Sequence, residues 1–272
     1  MELLSGTQYT DFASVYDMFM DNVPYDEWAE YLHRLLRENG VEKGIIAELG
    51  CGTGRITRKL RDFGYDMIGI DISKEMLQIA AEKEREGVAG EILYLNQDMR
   101  EFELFGTVAA VVSICDSMNY ITEKEDLLQI FKLVENYLDP GGVFIFDMNT
   151  PYYYKKVLGE TTICDNREEG SLIWENYYDP ESGINEFDIT IYIGRKTKKK
   201  NTSGTGDKEK AEVYERFEET HYQRAYKPNM IKKLLEKAGL VNVKMYKAFT
   251  GEIPDSKTER IYFIASKKQL SI

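Results

Sequence analysis

The sequence is poor in the residues that build crosslinked or metal-held proteins. Cys51, Cys115 and Cys164 are its only cysteines, and His33 and His221 its only histidines, in 272 residues. They are too few and too scattered for a disulfide framework or a metal cluster, and they point to a reducing compartment, the cytoplasm. Positive charge is also short. Lys and Arg number 35 against 47 Asp and Glu, a formal net charge of -12. Phosphate backbones and anionic lipid surfaces repel such a molecule, which makes nucleic acid an unfavoured partner. No apolar run approaches the ~20 residues needed to cross a bilayer, so no membrane association is expected. The first residues also lack the basic-then-apolar order of a secretion signal. What is present is a 43% hydrophobic, 12% aromatic chain, enough for a full core and incompatible with disorder. Its length suits one large domain, or one domain with a sizeable insertion.

Between residues 24 and 37, Trp28, Tyr31, Leu32, Leu35 and Leu36 recur at helical spacing. Acids early, bases late and Gly40 beyond the end predict a helix. Then comes a repeated cycle of apolar run, turn and helix. Strands are predicted over 44–49, 66–71, 91–95, 108–115 and 142–147, with helices over 55–63, 74–86 and 123–137 between them. Near-continuous apolar strands separated by helices mark a parallel sheet covered on both faces. The rhythm breaks at Pro151. From there to Tyr226 the pattern is polar alternation, clearest where Phe187, Ile189, Ile191 and Ile193 share one face against Asp188, Thr190 and Tyr192. After Pro228 a helix over 229–238 and two strands, 241–249 and 260–266, read as a closing antiparallel hairpin. The expected fold is an α/β, seven-stranded, doubly wound, mostly parallel sheet with an antiparallel β excursion inserted after strand five. Residues 1–150 and 227–272 form its main domain, with 1–40 a helical cap, and 151–226 a second cap. No stripe that would mark an oligomer interface is legible.

The chemistry concentrates where the first three strands end. Glu48-Leu49-Gly50-Cys51-Gly52-Thr53-Gly54 joins the first strand to its helix. Glycines there let the backbone approach a ligand, and the helix start offers free N–H groups. The Gly-x-Gly-x-Gly spacing differs from the Gly-x-Gly-x-x-Gly of dinucleotide folds, which speaks against a nicotinamide oxidoreductase. Asp71 ends the second strand, where an acid grips ribose hydroxyls; its competing role is a helix N-terminal acid. Asp98, followed by Met99, ends the third, where an acid can accept an adenine amino hydrogen. Three such features in register form a nucleoside site.

Together with Tyr9-Thr10-Asp11-Phe12-Ala13-Ser14-Val15-Tyr16-Asp17, Cys115-Asp116-Ser117-Met118-Asn119-Tyr120 and Leu138-Asp139-Pro140-Gly141-Gly142, these motifs give a nearly end-to-end resemblance. The chain resembles the class I S-adenosylmethionine (SAM)-dependent methyltransferases, in particular bacterial members, sugar-amine N-methyltransferases and glycine N-methyltransferase. The resemblance implies SAM as the cofactor. It implies that Gly50, Cys51, Gly52, Thr53 and Gly54 cradle the methionine part and that Asp71 binds the ribose. Ile72, Met76, Asp98 and Met99 would surround the adenine, Cys115 and Asp116 would line the transfer end, and Tyr9 and Tyr16 would cover the cofactor. The lysine-rich stretch 196–210 is longer than the resemblance leads one to expect.

The expected activity is methyl transfer to an N or O nucleophile of a small molecule. Where the nucleophile carries a proton, an acceptor for it is needed, and His221, Tyr120, Asp116 and Glu175 are candidates. A histidine titrates near neutrality, but His221 also suits a hydrogen-bonded strand position; His33 reads as structural. Trp174, Tyr177, Tyr178 and Phe187 read either as a cage for an amine or as the inner face of the excursion. The lysine stretch reads as a solvated loop rather than a nucleic-acid arm. The competing activities are methylation of RNA or a ribosome-associated protein, and SAM binding without turnover.

Overall fold

The computed structural model describes residues 13–85, 91–195 and 213–269; the lysine stretch 196–210 lies outside them. Strands β1 (Ile45–Leu49), β2 (Asp66–Asp71), β3 (Leu93–Asn96), β4 (Val108–Ser113) and β5 (Leu138–Asn149) pair in parallel. The closing strands β10 (Val241–Lys247) and β11 (Arg260–Ser266) extend the same sheet, in the order β10-β11-β5-β4-β1-β2-β3. β11 runs antiparallel to both of its neighbours. The fold is therefore the expected doubly wound α/β sheet, six strands parallel and one reversed.

Strand periodicity explains why both faces are covered. Leu49, Val111, Phe144, Phe146 and Phe263 enter one apolar cluster, while Ile46, Val112, Ile145 and Ile264 enter the other. The first cluster is closed by helices α5 (Lys124–Tyr137) and α6 (Pro228–Lys237), through Phe131 and Leu235. The second is closed by α2 (Tyr25–Glu38) and α3 (Arg55–Asp62), through Leu32, Leu36 and Ile56. Phe146 lies between Phe144 and Phe263, its ring centroid 4.6 and 5.0 Å from theirs, and is fully buried. Each such side chain contributes ~1.5–3 kcal/mol of burial, so the sheet centre is rigid enough to fix what projects from its strand ends. Most boundaries move by one or two residues, and two differences have a visible cause. β5 starts at Leu138, which pairs with Val108 ahead of a bulge, and β10 stops at Lys247 because Phe249 turns at φ +62°.

After a π-helical stretch, Tyr153–Leu158, the chain builds a second sheet. Its strands β6 (Thr162–Asn166), β7 (Gly170–Asp179), β8 (Ile184–Arg195) and β9 (Val213–Arg224) are antiparallel neighbours in that order. Phe187, Ile189 and Ile191 face inward with Leu172 and pack on Phe19 of the short helix α1 (Ala13–Phe19). β9 is an edge strand, and that edge faces the site.

Candidate active site

Strand order reverses between β1 and β4, and a crevice opens beyond the strand ends at that switch point. It forms a cavity of about 720 Å³. Its floor is the turn after β1. Gly50 and Cys51 donate their N–H groups to the Ile70 carbonyl (2.8 and 3.1 Å), and Gly52 donates to Asp71 Oδ2 (2.8 Å). Gly50 and Gly52 have φ of +71° and +54°, a left-handed backbone that side chains strain. A Cβ at Gly50 would stand 2.7 Å from Ser117, whereas one at Gly52 would meet no protein atom within 4 Å and would enter the cavity wall.

Asp71 takes the helix N-terminal role and also meets the glycine loop. Its Oδ1 accepts the Ser73 N–H (2.9 Å) at the start of α4 (Lys74–Arg85), while Oδ2 faces the glycine loop. Burial raises its carboxyl above the ordinary range, and the N–H donors pull the other way. Helix α4 itself is capped by Ser73, whose Oγ accepts the Met76 N–H (3.1 Å). Half-exposed Ile72 and buried Met76 line the cavity beside it. At the end of β3, Asp98 and Met99 both line the wall, and Asp98 is forked onto Arg100, whose Nε reaches both carboxylate oxygens (3.0 and 2.9 Å). Arg100 extends to Asp126 on α5 at 3.5 Å.

The turn after β4 is strained. Cys115 and Asp116 both adopt left-handed backbone, φ +62° and +53°, at a cost of ~1–3 kcal/mol each. A buried charge cluster holds them. Fully buried Asp147 accepts the Asp116 N–H on Oδ1 (2.8 Å) and Arg260 Nη1 on Oδ2 (2.6 Å), and Arg260 Nη2 donates to Asp116 Oδ1 (2.7 Å). Burial works against the Arg260 charge, but the two carboxylates outweigh it and keep the guanidinium protonated. The remaining Asp116 oxygen accepts Gln223 Nε2 from β9 (2.7 Å), and Asp116 does not line the cavity. Asn119 ties the turn to the Asn149 N–H and to the Arg224 carbonyl (2.9 and 2.8 Å). Desolvation raises the Cys51 and Cys115 thiols well above their ordinary range, so both remain neutral.

Tyr120, on a 3-10 turn spanning Ser117–Tyr120, reaches the opposite wall. Its hydroxyl lies 3.2 Å from His221 Nδ1, and His221 Nε2 lies 3.0 Å from Glu219 Oε2. His221 is fully buried, stacked on Phe187, and stands behind Tyr120 and Glu219, which line the cavity. Beside the glycine loop, Tyr16 lines the wall and Asp17 latches α1 to that loop. Its Oδ1 accepts Thr53 Oγ1 (2.9 Å) and Arg55 Nε (2.8 Å). Tyr9 lies outside the described residues. Glu48, from the glycine motif, is buried at the cavity; burial pushes its carboxyl up to about 8 although Thr57 Oγ1 donates to it at 2.5 Å. Tyr25 is pushed up to about 12 by burial.

Other candidates are dispersed. Glu175 sits in mid-strand opposite Asp188 and does not line the cavity. Trp174 packs at 5.0 Å on Phe187, Tyr178 stacks on Tyr154, and Tyr177 points to solvent, so the four aromatics do not converge as a cage. His33 stacks on Phe63 and bonds Tyr65, away from the cavity. Sequence reasoning missed Asp17, Tyr25, Glu48, Glu219 and Arg260. Asp17 and Glu48 stand inside the quoted motifs, and Glu219 alternates with His221 on one face of a strand, whereas Tyr25 and Arg260 carry no such signal.

A methyltransferase-domain family model matches residues 46–142, which contain the glycine turn and the strands that carry the floor. YqeM of Bacillus subtilis (strain 168), provisionally named a methyltransferase, is 35% identical over 264 residues, 96% of this chain and 98% of that protein. The crystal structure of a SAM-dependent methyltransferase from Clostridium acetobutylicum ATCC 824 superposes with a TM-score of 0.78 at 29% identity, covering 96% of this chain and 99% of that one. The dTDP-3-amino-3,4,6-trideoxy-alpha-D-glucopyranose N,N-dimethyltransferase of Streptomyces venezuelae is 29% identical over 154 residues, 55% of this chain and 61% of that enzyme. Glycine turn, strand-end acids and near full-length likeness agree: the chain belongs to the class I SAM-dependent methyltransferases.

Proposed function

We propose that this enzyme methylates a nitrogen or oxygen nucleophile of a small molecule, with the cofactor on the glycine loop and the acceptor beneath the edge of the second sheet. One observation carries this reading: a single cavity is lined both by Gly52 and Asp71 and by Tyr120 and Glu219. Residues 1–150 and 227–272 then hold the cofactor, with 1–40 as its helical cover, and 151–226 roof the acceptor.

The residues present fit the cofactor. The space beside Gly52 is open to a ligand, Asp71 projects at the ribose position, and Ile72, Met76 and Met99 offer apolar walls for an adenine. Gly50, Cys51, Gly52, Thr53 and Gly54 cradle its methionine part. Asp98 sits at the adenine edge, held by Arg100. Tyr16 covers it, and Cys115 lines the transfer end. SAM, when bound, supplies an electrophilic methyl carbon on a sulfonium sulfur. Because charge is lost at sulfur, the protein contributes chiefly alignment and the exclusion of water. Asp116, with both oxygens taken by Arg260 and Gln223, contributes by holding the strained turn, while Tyr120 and His221 remain for proton transfer. The amino-sugar enzyme similar to this chain supports a small-molecule acceptor. RNA is disfavoured by a cavity whose described lining holds seven carboxyl groups and two arginines.

Calorimetric titration with S-adenosylhomocysteine and with NAD tests the reading. Micromolar binding of the former, weakened at least ~10-fold by Asp71→Ala, and no response to NAD are expected. Absence of binding to the wild type would overturn it.

A further inference from the structure

The acceptor wall is the free edge of a strand. Glu218, Glu219, Thr220 and Tyr222 of β9 all line the cavity. Side chains of consecutive strand residues point to opposite faces, so such a run shares one cavity only where it follows the strand's edge. β9 pairs with β8 over Val213–Arg224 without a bulge, and β8 is its one neighbour in the sheet. The phase of that ladder is fixed at its ends. The Ala225 N–H donates to the Gly183 carbonyl (2.8 Å), the next pair in the same register. Across β8, the Gly194 N–H donates to the Glu169 carbonyl (2.9 Å), so even-numbered residues of β8 serve β7 and odd-numbered ones serve β9. Hydrogen-bonded residues alternate along an antiparallel ladder. Odd-numbered residues of β9 therefore bond to β8, and Glu218, Thr220, Tyr222 and Arg224 turn both N–H and carbonyl outward.

The Arg224 carbonyl confirms the phase, because Asn119 Nδ2 donates to it from outside the sheet (2.8 Å). No hydrogen bond among the described residues reaches the outward groups of Glu218, Thr220 or Tyr222. The edge is thus closed beside the turn that carries Cys115 and Tyr120, and open along the cavity for ~14 Å. It offers donors and acceptors at the spacing that another extended chain matches. All pairs in this sheet are antiparallel. A further antiparallel strand would set its N-terminus at the Tyr222 end, against the transfer end of the cavity. A parallel one would bring a terminal carboxylate there, to a cavity whose described lining holds seven carboxyl groups and two arginines.

Resting on the reading above, we propose that the acceptor is an extended amine bearing peptide amides, which joins the edge of β9 as a fifth strand and presents its N-terminal nitrogen for methylation. The backbones of Glu218, Thr220 and Tyr222 are its binding contacts. A peptide N-terminus loses its proton at a pKa of ~8, so much of it is already a neutral nucleophile near neutral pH. Its lone pair forms the new N–C bond as the C–S bond of SAM breaks, and sulfur keeps the pair of the broken bond. The positive charge passes from sulfur to nitrogen, and the methylated ammonium exchanges its proton with water after release.

The full-length protein saturated with S-adenosylhomocysteine is titrated calorimetrically with three probes: tetra-alanine amide, the same peptide with its internal amide nitrogens methylated, and ethylamine. The unmodified peptide should bind saturably and at least ~10-fold more tightly than either control, since one control has lost its donors and the other has no amides. Thr220→Pro deletes one outward N–H and none that β8 uses, a change an edge strand accepts. It should weaken peptide binding at least ~5-fold while S-adenosylhomocysteine still binds. With SAM in its place, mass spectrometry should find the new methyl group on the N-terminal nitrogen. Lengthening the peptide at its C-terminus separates two sources of this chemistry: undiminished binding marks the N-terminus of a protein, and lost binding marks a free short peptide. Equal binding of the three probes, no saturation by tetra-alanine amide at millimolar concentration, or a methyl group at another atom would overturn the inference. The comparison of probes needs no variant, so a Thr220→Pro protein that fails to fold would not leave it open. Failure of S-adenosylhomocysteine to bind the wild type would instead overturn the cofactor assignment, so the two failures are distinguishable.

Discussion

The floor and the roof of the cavity are made differently. The floor is backbone and near neighbours: N–H groups of residues 50–52 meet Ile70 and Asp71, about twenty positions away. The roof is side chains brought from afar. Tyr120 meets His221 across 101 positions, Asp116 meets Gln223 across 107, and Asn119 meets the Arg224 carbonyl across 105. A floor of turns and strand ends survives wide changes of sequence, and the family match over 46–142 covers it while ending before the second sheet begins. If the proposed function holds, cofactor binding belongs to the fold and acceptor choice to an edge strand that can vary without disturbing it.

The most severe way to break this comparison is to remove what floor and roof share. Arg260→Leu would strand buried Asp147 and Asp116 without their counter-charge, and a loss of about 3–5 kcal/mol is expected in urea unfolding. A loss under about 1 kcal/mol would show that the strained turn after β4 holds itself. Glu48 isolates the floor. Its folded value near 8 lies above its ordinary 4.5, so between those pH values the folded state keeps a proton that the unfolded state has released. Stability must therefore fall as pH rises through that window, by at most ~1.4 kcal/mol per pH unit. Thermal unfolding of Glu48→Gln between pH 5 and 8 should lack this component, and an identical slope would refute the assignment. The gentlest probe is Thr53→Val, which deletes the hydroxyl bond from the glycine loop to Asp17. About 1 kcal/mol of stability should go, and S-adenosylhomocysteine should dissociate a few-fold faster if α1 is a cover. Stopped-flow fluorescence measures the rate.

The same contrast explains what was legible. Near-continuous apolar strands, glycine stops and the alternation at 187–193 are local signals, and the sheet, its helices and the second sheet follow from them. The glycine turn and Asp71 are legible because their partners lie close in sequence. Tyr120 and His221 each stand out as proton acceptors, but nothing local says that they touch. Glu219 shares a face of β9 with His221, and the register sets that histidine beside Phe187. The Asp98–Arg100 fork is short-range yet escapes a reading that looks for ligands, because an acid at a strand end serves an arginine equally well. Arg260 is invisible for a different reason: only the tertiary fold brings the last strand to the end of the fourth.

Strand β11 follows β10 in the chain, yet it lies between β5 and β10, and Arg260 stands at its start. A chain growing on the ribosome can form its glycine turn early, but the turn after β4 waits for this one guanidinium, with Asp147 left as an uncompensated charge at the end of the longest core strand. A chain interrupted before β11 would leave β5 without this neighbour and Asp147 without its guanidinium, an exposed sheet edge beside an unmet carboxylate.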